Sequence, residues 1–179
     1  MSHSNVYIVM IVPTFTGNRV ITVVERNGKI GFPGGGNDKG NETSRQAAMR
    51  EFREEAGVDY EDFTITSEEE IIHKHKNGST TLGILVVCSH APRINPNHRF
   101  IERKRGREFV ETLGVMLPRV SQVCDALRWN EGSFHCNFTN KYVNKPVCCL
   151  TNSITWNFRD CISNHPHPQL VAFLEKHSN

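Results

Sequence analysis

Three glutamates, Glu51, Glu54 and Glu55, form the group in this sequence that is best suited to chemistry. Their i, i+3 and i+4 spacing places all three carboxylates on one face of a helix. Like charges at these spacings destabilise a helix by about 0.2–0.5 kcal/mol per pair, and a divalent cation with oxygen ligands would offset that cost. Arg50 precedes the group and can orient the carboxylates while also reaching back to Glu42. A solvated acidic helix face is the simpler alternative for the same residues.

The helix that would carry these glutamates is predicted over Ser44–Ala56, a stretch without glycine or proline. Thr43 as the N-cap and Gln46 at the third helical position fit a capping box. Gly57 follows at the position where a left-handed C-terminal cap is favoured. Small residues near Phe52 would let one side of the helix approach a sheet, with Phe52 as the anchor in the core.

Strands are predicted before and after this helix, from apolar and β-branched runs bounded by turn residues. The first two, Val6–Val12 and Val20–Glu25, are expected to form a hairpin. The other predictions are a return strand at Lys29–Phe32 after an Asn27-Gly28 turn, a flexible break at Pro33–Gly36, strands at Phe63–His73, Thr80–Ser89 and Phe109–Leu117, a loop at Ala91–Gly106, and helices at Val120–Leu127 and Pro168–His177.

The stretch from Gly36 to Val58 resembles the Nudix box at every defined position, over 23 of the 179 residues. Seven fixed residues and two apolar positions match. At residue frequencies near one in fifteen, seven fixed matches arise by chance about once in 10⁸ sites. The matching residues are Gly36, Glu42, Arg50, Glu51, Phe52, Glu54, Glu55, Gly57 and Val58. This long pattern favours the chemical interpretation of the glutamates over a solvated helix face.

The resemblance implies an α/β fold, a Nudix-type α/β/α sandwich around a mixed β-sheet. One domain would span residues 1–179, with residues 129–179, which contain cysteines and tryptophan, packed on it as a C-terminal extension. The implied activity is an enzyme's: hydrolysis of a diphosphate bond in a nucleoside diphosphate linked to another moiety. The implied cofactor is Mg²⁺ or Mn²⁺.

The resemblance also implies roles for individual residues. Glu51, Glu54 and Glu55 would bind the metal, with Gly35 adding its backbone carbonyl. Arg50 would orient the carboxylates. We expect Glu54 and Arg50 to take part in catalysis together with a carboxylate outside the box.

That outer carboxylate is predicted from what the reaction needs and from its position in related proteins. A carboxylate must remove or position the proton of the attacking water. In many relatives this residue is a glutamate just before a late strand, which favours Glu111 here. Glu108 and Glu102 are the alternatives, and a plain loop carboxylate is the simpler interpretation of each.

A basic stretch between His98 and Glu108 could recognise the rest of the substrate. Its five cations could clamp extra phosphates or an RNA backbone, although a solvated loop is the alternative. Arg103 and Arg105 are the candidates chosen there, and Phe32 is expected either in a substrate pocket or in the core. The stretch favours anionic substrates: dinucleoside polyphosphates, diphosphoinositol polyphosphates or capped RNA. Nucleoside triphosphates, nucleotide sugars and a non-catalytic nucleotide-sensing module remain open.

Composition sets limits on the class of protein. Lys and Arg total 21 against 19 Asp and Glu, so bulk charge does not mark a nucleic-acid protein. The longest apolar run, Val6–Val12, is too short to span a membrane, and no secretory signal is recognisable. The six cysteines form no CxxC pair, which favours reduced thiols in a cytoplasmic protein. A zinc site built from the later cysteines with His135, His165 or His167 is the alternative.

Overall fold

Strand β1 (Asn5–Thr14) lies at the centre of the fold and is buried on both faces. Val6 and Ile8 face one cluster of buried residues, whereas Tyr7 and Val9 face another. Successive side chains of a strand point to opposite sides, so a strand covered on both faces must be apolar throughout. This explains why the run from Val6 to Val12 shows no alternation with polar residues.

The computed structural model describes residues 2–26, 30–37, 39–129 and 167–179. Besides β1, its elements are β2 (Gly17–Val20), β3 (Thr22–Glu25), β4 (Ile30–Gly31), β5 (Gly34–Gly36), α1 (Ser44–Ala56), β6 (Thr64–Lys74), β7 (Thr80–His90), β8 (Phe100–Lys104), β9 (Arg107–Met116), α2 (Val120–Trp129) and α3 (Pro168–Lys176). A short 3₁₀ turn at Tyr60–Asp62 follows α1.

The strands form two sheets. In the first, the order is β2-β1-β7-β6, and β5 pairs with the beginning of β1. The pairing of β1 with β7 is parallel and the other pairings are antiparallel, so this sheet is mixed. The second sheet is antiparallel, with the order β4-β3-β9-β8.

Helices cover both faces of the first sheet and give the α/β/α architecture expected from the sequence. Helix α1 packs Ala48 and Phe52 against the face that carries Val6 and Ile8. Helices α2 and α3 cover the opposite face. Their buried residues in that cluster are Val120, Val123, Cys124, Ala126, Leu127, Leu170, Phe173 and Leu174. The end of the described chain is therefore part of the core.

Helix α1 confirms the predicted bounds and caps. The Thr43 hydroxyl accepts a hydrogen bond from the Gln46 N–H, and the Gln46 side chain accepts one from the Thr43 N–H. These two bonds satisfy N–H groups that the first turn cannot pair internally. At the other end, Gly57 adopts the left-handed conformation and its N–H donates to the Arg53 carbonyl. Local sequence signals therefore set the register of the glutamates on the helix.

The predicted hairpin between Val6–Val12 and Val20–Glu25 is only partly correct. Its second run is two strands, and the chain changes sheets at Ile21. The Ile21 N–H still donates to the Met10 carbonyl of β1, whereas the next residue's hydroxyl, that of Thr22, donates to the Met116 carbonyl of β9. The switch lets β3 join the second sheet.

Two segments predicted without regular structure are strands. The glycines predicted as a flexible break form β5, and the predicted loop at Ala91–Gly106 contains β8. Strands β8 and β9 form a hairpin whose turn has positive φ at Arg105 (52°) and Gly106 (72°). Consecutive positive φ values give the turn that suits the twist of a two-residue hairpin. The other predicted strands and helices agree with the observed elements within two residues at each end.

Some predictions lie outside the described residues. These are the Asn27-Gly28 turn, four of the six cysteines, and most of the residues that could form the alternative zinc site. Cys88 and Cys124, which are described, are free and buried. Within the described ranges, none of the helices has the length and apolar character needed to cross a membrane.

Strand β5 offers a direct test of how closely it packs against β1, its partner in the first sheet. A Cβ at Gly34 would lie 2.3 Å from the Val6 carbonyl oxygen, whereas a Cβ at Gly36 would meet nothing within 4 Å. We expect Gly34→Ala to lower the free energy of unfolding by about 1–3 kcal/mol, because backbone must move. Gly36→Ala is the matched control and should change it by less than about 0.5 kcal/mol. Urea unfolding measures both, and equal stabilities would contradict the packing described.

His73 gives the fold a pH dependence. Its ring is 4% exposed and its Nε2 lies 2.5 Å from the Tyr7 hydroxyl. Burial, followed by the nearby His167 and His75, lowers the pKa of His73 to about 4. The unfolded chain then binds more protons between about pH 6.5 and pH 4, so the free energy of unfolding should fall as the pH falls through that window.

The measurement is urea unfolding of wild type and His73→Gln between pH 7 and pH 4. The variant should lose less stability than wild type on acidification, since glutamine takes up no proton. His90→Gln, at an exposed position on β7, is the control and should follow wild type. Parallel curves for wild type and His73→Gln would contradict this prediction.

Candidate active site

Helix α1 and strand β5 meet where the three glutamates lie. A Cβ at Gly35 would stand 2.7 Å from the Cδ atom of Glu51, so glycine is needed for the carboxylate to approach the strand. The neighbouring Gly34 N–H donates to Glu55 Oε1 at 2.8 Å. Glu51 and Glu55, which the sequence places on one face of the helix, therefore lie against glycine backbone, where no side chain blocks their approach.

Arg50 connects the carboxylates into one network. Its Nη2 donates to Glu42 Oε1 at 2.7 Å, and its Nη1 donates to Glu51 Oε1 at 2.8 Å and Glu54 Oε2 at 3.3 Å. The Arg50 side chain is 13% exposed, which limits solvent screening of these pairs. Its hydrogen bond to Glu42, ahead of the pairing with Glu51, raises the pKa of Arg50 further above its ordinary value. The predicted orienting contacts are therefore present.

The surroundings of Glu55 disfavour its negative charge. Burial raises the pKa of Glu55 well above its ordinary value, and the charges of Glu51, Glu25 and Glu111 raise it further. The hydrogen bond from the Gly34 N–H acts in the opposite direction. A carboxylate in these surroundings is stabilised by a positive charge placed nearby.

Glu111 lies on β9 at a β-bulge. In the pairing with β8, Phe100 is opposite Thr112 and Ile101 is opposite Val110, so Glu111 is the extra residue. The Arg26 N–H donates to the Glu111 carbonyl at 3.3 Å. Burial first, and then a hydrogen bond with Glu102, raise the pKa of Glu111. Bulges of this kind redirect side chains, and here Glu111 lies within electrostatic reach of Glu55.

Two cavities meet at these residues, and both are lined by Gly34, Gly35, Glu55 and Glu111. We call the first the Phe109 cavity. It has a volume of about 530 Å³ and is completed by Glu25, Arg26, Phe109 and Val110.

The second is the Lys104 cavity, with a volume of about 720 Å³. Its further lining residues are Gly36, Lys39, Arg50, Glu51, Glu54, Phe100, Ile101, Glu102, Arg103 and Lys104. The three alternatives for the outer carboxylate now differ in position. Glu111 lines both cavities and Glu102 lines the second, whereas Glu108 lines neither and pairs with Arg103 at 3.1 Å.

The residues predicted to bind substrate fall in different places. Arg103 lines the Lys104 cavity, but Arg105 lies at the hairpin turn and lines neither cavity. Phe32 is 7% exposed and stacks on Tyr7 with ring centroids 5.6 Å apart, so it belongs to the core cluster. The core was one of the two positions expected for Phe32.

Sequence reasoning missed several lining residues, among them Glu25, Arg26, Lys39 and Phe109. Glu25 and Arg26 follow a β-branched run and precede an Asn-Gly turn, which marks a strand end. The strand β9 was predicted, but nothing local indicated that it pairs with β3. That pairing brings Glu25 opposite Thr112, one residue from Glu111.

The available ligands suit a hard divalent cation. They are carboxylate oxygens of Glu51, Glu54 and Glu55 beside the backbone of Gly35, and Mg²⁺, Ca²⁺ and Mn²⁺ prefer oxygen ligands. Within the part of the chain that the structure describes, no three acidic, histidine or cysteine side chains already form a converged ligand cluster. Arg50 holds two of the carboxylates and the Gly34 N–H holds the third.

A family model for the NUDIX domain matches residues 1–119, which include β1 to β9 and α1. The chain belongs to the Nudix family. It is therefore a Nudix hydrolase, an enzyme of a family that generally uses divalent metal cations. The match ends just before α2, so the helices that cover the second face of β1 lie outside it.

Solved structures with a similar fold include three Nudix proteins. The C. elegans Ap4A hydrolase is 14% identical, with 68% of this chain and 83% of that chain covered and a TM-score of 0.49. The NUDIX domain of Shewanella oneidensis NrtR, complexed with ADP ribose, is 16% identical, with coverages of 69% and 76% and a TM-score of 0.46. The Bacillus subtilis pyrophosphohydrolase BsRppH is 17% identical, with coverages of 65% and 63% and a TM-score of 0.40. These similarities carry no argument about substrate. No curated protein sequence matches significantly.

Arg50 can be tested by a substitution that keeps its charge. Lysine cannot donate to Glu42 and to Glu51 in the fixed fork of a guanidinium. We expect Arg50→Lys to lower the rate of hydrolysis about 10- to 100-fold, because residues that position ligands have effects of that size. Arg45→Lys is the control, since Arg45 lies on the same helix and pairs with Glu68 in solvent. Equal rates for the two variants would exclude a positioning role for Arg50.

Proposed function

We propose that this Nudix hydrolase is a metal-dependent pyrophosphohydrolase, which cleaves a diphosphate bond in a nucleoside diphosphate linked to another moiety. The observation that carries the proposal is that four carboxylates, those of Glu51, Glu54, Glu55 and Glu111, line the Lys104 cavity. So many carboxylates at close range are costly unless positive charge joins them. A divalent cation bound together with the substrate supplies that positive charge in the catalytic complex.

Mg²⁺ or Mn²⁺ is the proposed cofactor, held by Glu51, Glu54, Glu55 and the Gly35 carbonyl. When bound, such a cation neutralises phosphate charge and lowers the pKa of a coordinated water. Arg50 is a positioning residue, because its fork fixes Glu51 and Glu54 relative to Glu42. The Gly34 N–H fixes Glu55 in the same way.

Glu111 is the proposed acceptor for the proton of the attacking water. It lines both cavities and lies within electrostatic reach of Glu55, which places it beside the proposed cation ligands. A proton acceptor must lie within hydrogen-bond reach of the water, directly or through one further water. Glu102 shares a hydrogen bond with Glu111 and is the second choice for this role.

The proposed substrates are highly anionic: a dinucleoside polyphosphate, a diphosphoinositol polyphosphate or capped RNA. Lys39, Arg103 and Lys104 support this choice, because they place three cations on the rim of the Lys104 cavity. A nucleoside triphosphate or a nucleotide sugar would need fewer of these contacts and is the second choice. The free thiols of Cys88 and Cys124 fit the proposed cytoplasmic location.

Glu55→Gln tests the proposal most directly. We expect it to slow turnover by roughly 10³-fold or more, because a neutral amide is a poor ligand for a hard cation. Since burial disfavours the charge of Glu55, the variant should unfold at the same urea concentration as wild type or a higher one. The measurement is phosphate release, or direct separation of products, from the proposed substrates with Mg²⁺, Mn²⁺ or a chelator.

The matched control is Glu70→Gln, an exposed carboxylate on β6, which should keep wild-type turnover. Wild-type rates in Glu55→Gln would remove Glu55 from the proposed site. Turnover that persists in chelator would overturn the metal requirement. Nucleotide binding without turnover of any substrate would instead favour a nucleotide-sensing module.

A further inference from the structure

The Phe109 cavity ends in an exposed aromatic ring. Among the described residues, Phe15, Ile72 and Phe109 are the large hydrophobic side chains that remain exposed, and Phe109 is 39% exposed. Of these three, Phe109 is the one that lines a cavity together with Glu55 and Glu111. A phenylalanine in this position keeps apolar surface in water unless a ligand covers it.

The structure around Phe109 holds it in place. It lies on β9 opposite Glu102 of β8, two residues before the bulge at Glu111. Strand β9 is in turn paired on its other side with β3, whose last residue, Glu25, lines the same cavity. Phe109 itself is paired only with β8, since the pairing with β3 begins at Thr112. A ring on a paired strand is a firmer platform than one on a free loop.

The two cavities have different chemistry on either side of their shared carboxylates. Apart from those carboxylates, the Phe109 cavity presents the exposed ring of Phe109, the Arg26 cation and the Glu25 carboxylate. The Lys104 cavity presents more charge: the cations Lys39, Arg50, Arg103 and Lys104 and the carboxylates of Glu51, Glu54 and Glu102, with the half-buried ring of Phe100. The ion pairs on that rim are exposed, with the Arg103 side chain at 80% and that of Lys104 at 61%, so phosphate can replace their partners at little cost.

We propose that Phe109 is the nucleobase platform of this enzyme, with the base stacked on its ring and the polyphosphate extending into the Lys104 cavity. This inference rests on the proposed function. It narrows the substrate class to molecules that carry a nucleobase, and it disfavours diphosphoinositol polyphosphates. Stacking on one face of a phenylalanine offers no donor or acceptor, so all four bases should be accepted with similar affinity.

The experiment compares two probes that share a phosphorylated ribose, adenosine 5′-monophosphate, which carries a base at C1, and ribose 5-phosphate, which carries a hydroxyl there. Their dissociation constants are measured by calorimetry on the full chain with Mg²⁺ present. We expect wild type to bind the nucleotide more tightly than the sugar phosphate. Phe109→Ala should weaken nucleotide binding about 5- to 100-fold and leave sugar phosphate binding unchanged, since base stacking has effects of that size.

Two further variants make the result specific. Phe109→Tyr keeps an aromatic face and should retain nucleotide affinity. Phe15→Ala removes an exposed ring that lines neither cavity and should bind both probes as wild type does. Urea unfolding of Phe109→Ala should show a cooperative transition like that of wild type, so that a loss of nucleotide binding is not a loss of the fold.

The outcomes separate this inference from the proposed function. The proposed role of Phe109 is wrong if wild type binds the two probes equally. It is also wrong if Phe109→Ala weakens the binding of both probes equally. Metal-dependent turnover that is unaffected by Phe109→Ala supports the proposed function but contradicts the proposed role of Phe109. If the nucleotide binds more tightly than the sugar phosphate only when Phe109 is present, and no substrate is turned over, the role of Phe109 is supported and the proposed function is wrong.

Discussion

The close approach of helix α1 to the glycine strand β5 is the contact on which the rest of the site depends. Side chains at Gly34 and Gly35 would collide with β1 and with Glu51, so only a bare backbone fits between β1 and helix α1. That backbone donates a hydrogen bond to Glu55 and leaves room for Glu51. Arg50 then ties Glu51 and Glu54 to Glu42, and the carboxylates stay together despite their charge.

The second sheet brings the remaining functional groups to the helix. Strand β3 ends at Glu25, and β9 carries both Phe109 and the bulged Glu111. Opposite charges are arranged in layers, with acidic residues at the junction and cations on the rim of the Lys104 cavity. Such an arrangement attracts a polyanion to the rim and receives a cation in the middle.

Features set by neighbours in the sequence could be predicted, and features set by distant pairing could not. The capping box at Thr43 and the glutamate spacing are local, so helix α1 was correct to the residue. The family also followed from a contiguous pattern. Strand β5 was missed because its glycines favour no strand alone and become one by pairing with β1. Glu25 and Phe109 were missed for the same reason, since only the pairing of β3 with β9 brings them to the cavities.

Strand β1 joins parts of the molecule that could otherwise change independently. It pairs with β5, its one face supports α1, and its other face supports α2 and α3 beyond the family match. A shift of its backbone by a fraction of an ångström would reach Glu55 through a single hydrogen bond from Gly34. A change of side-chain size at a buried residue of β1 such as Tyr7 would therefore disturb the glycine strand and the C-terminal helices together.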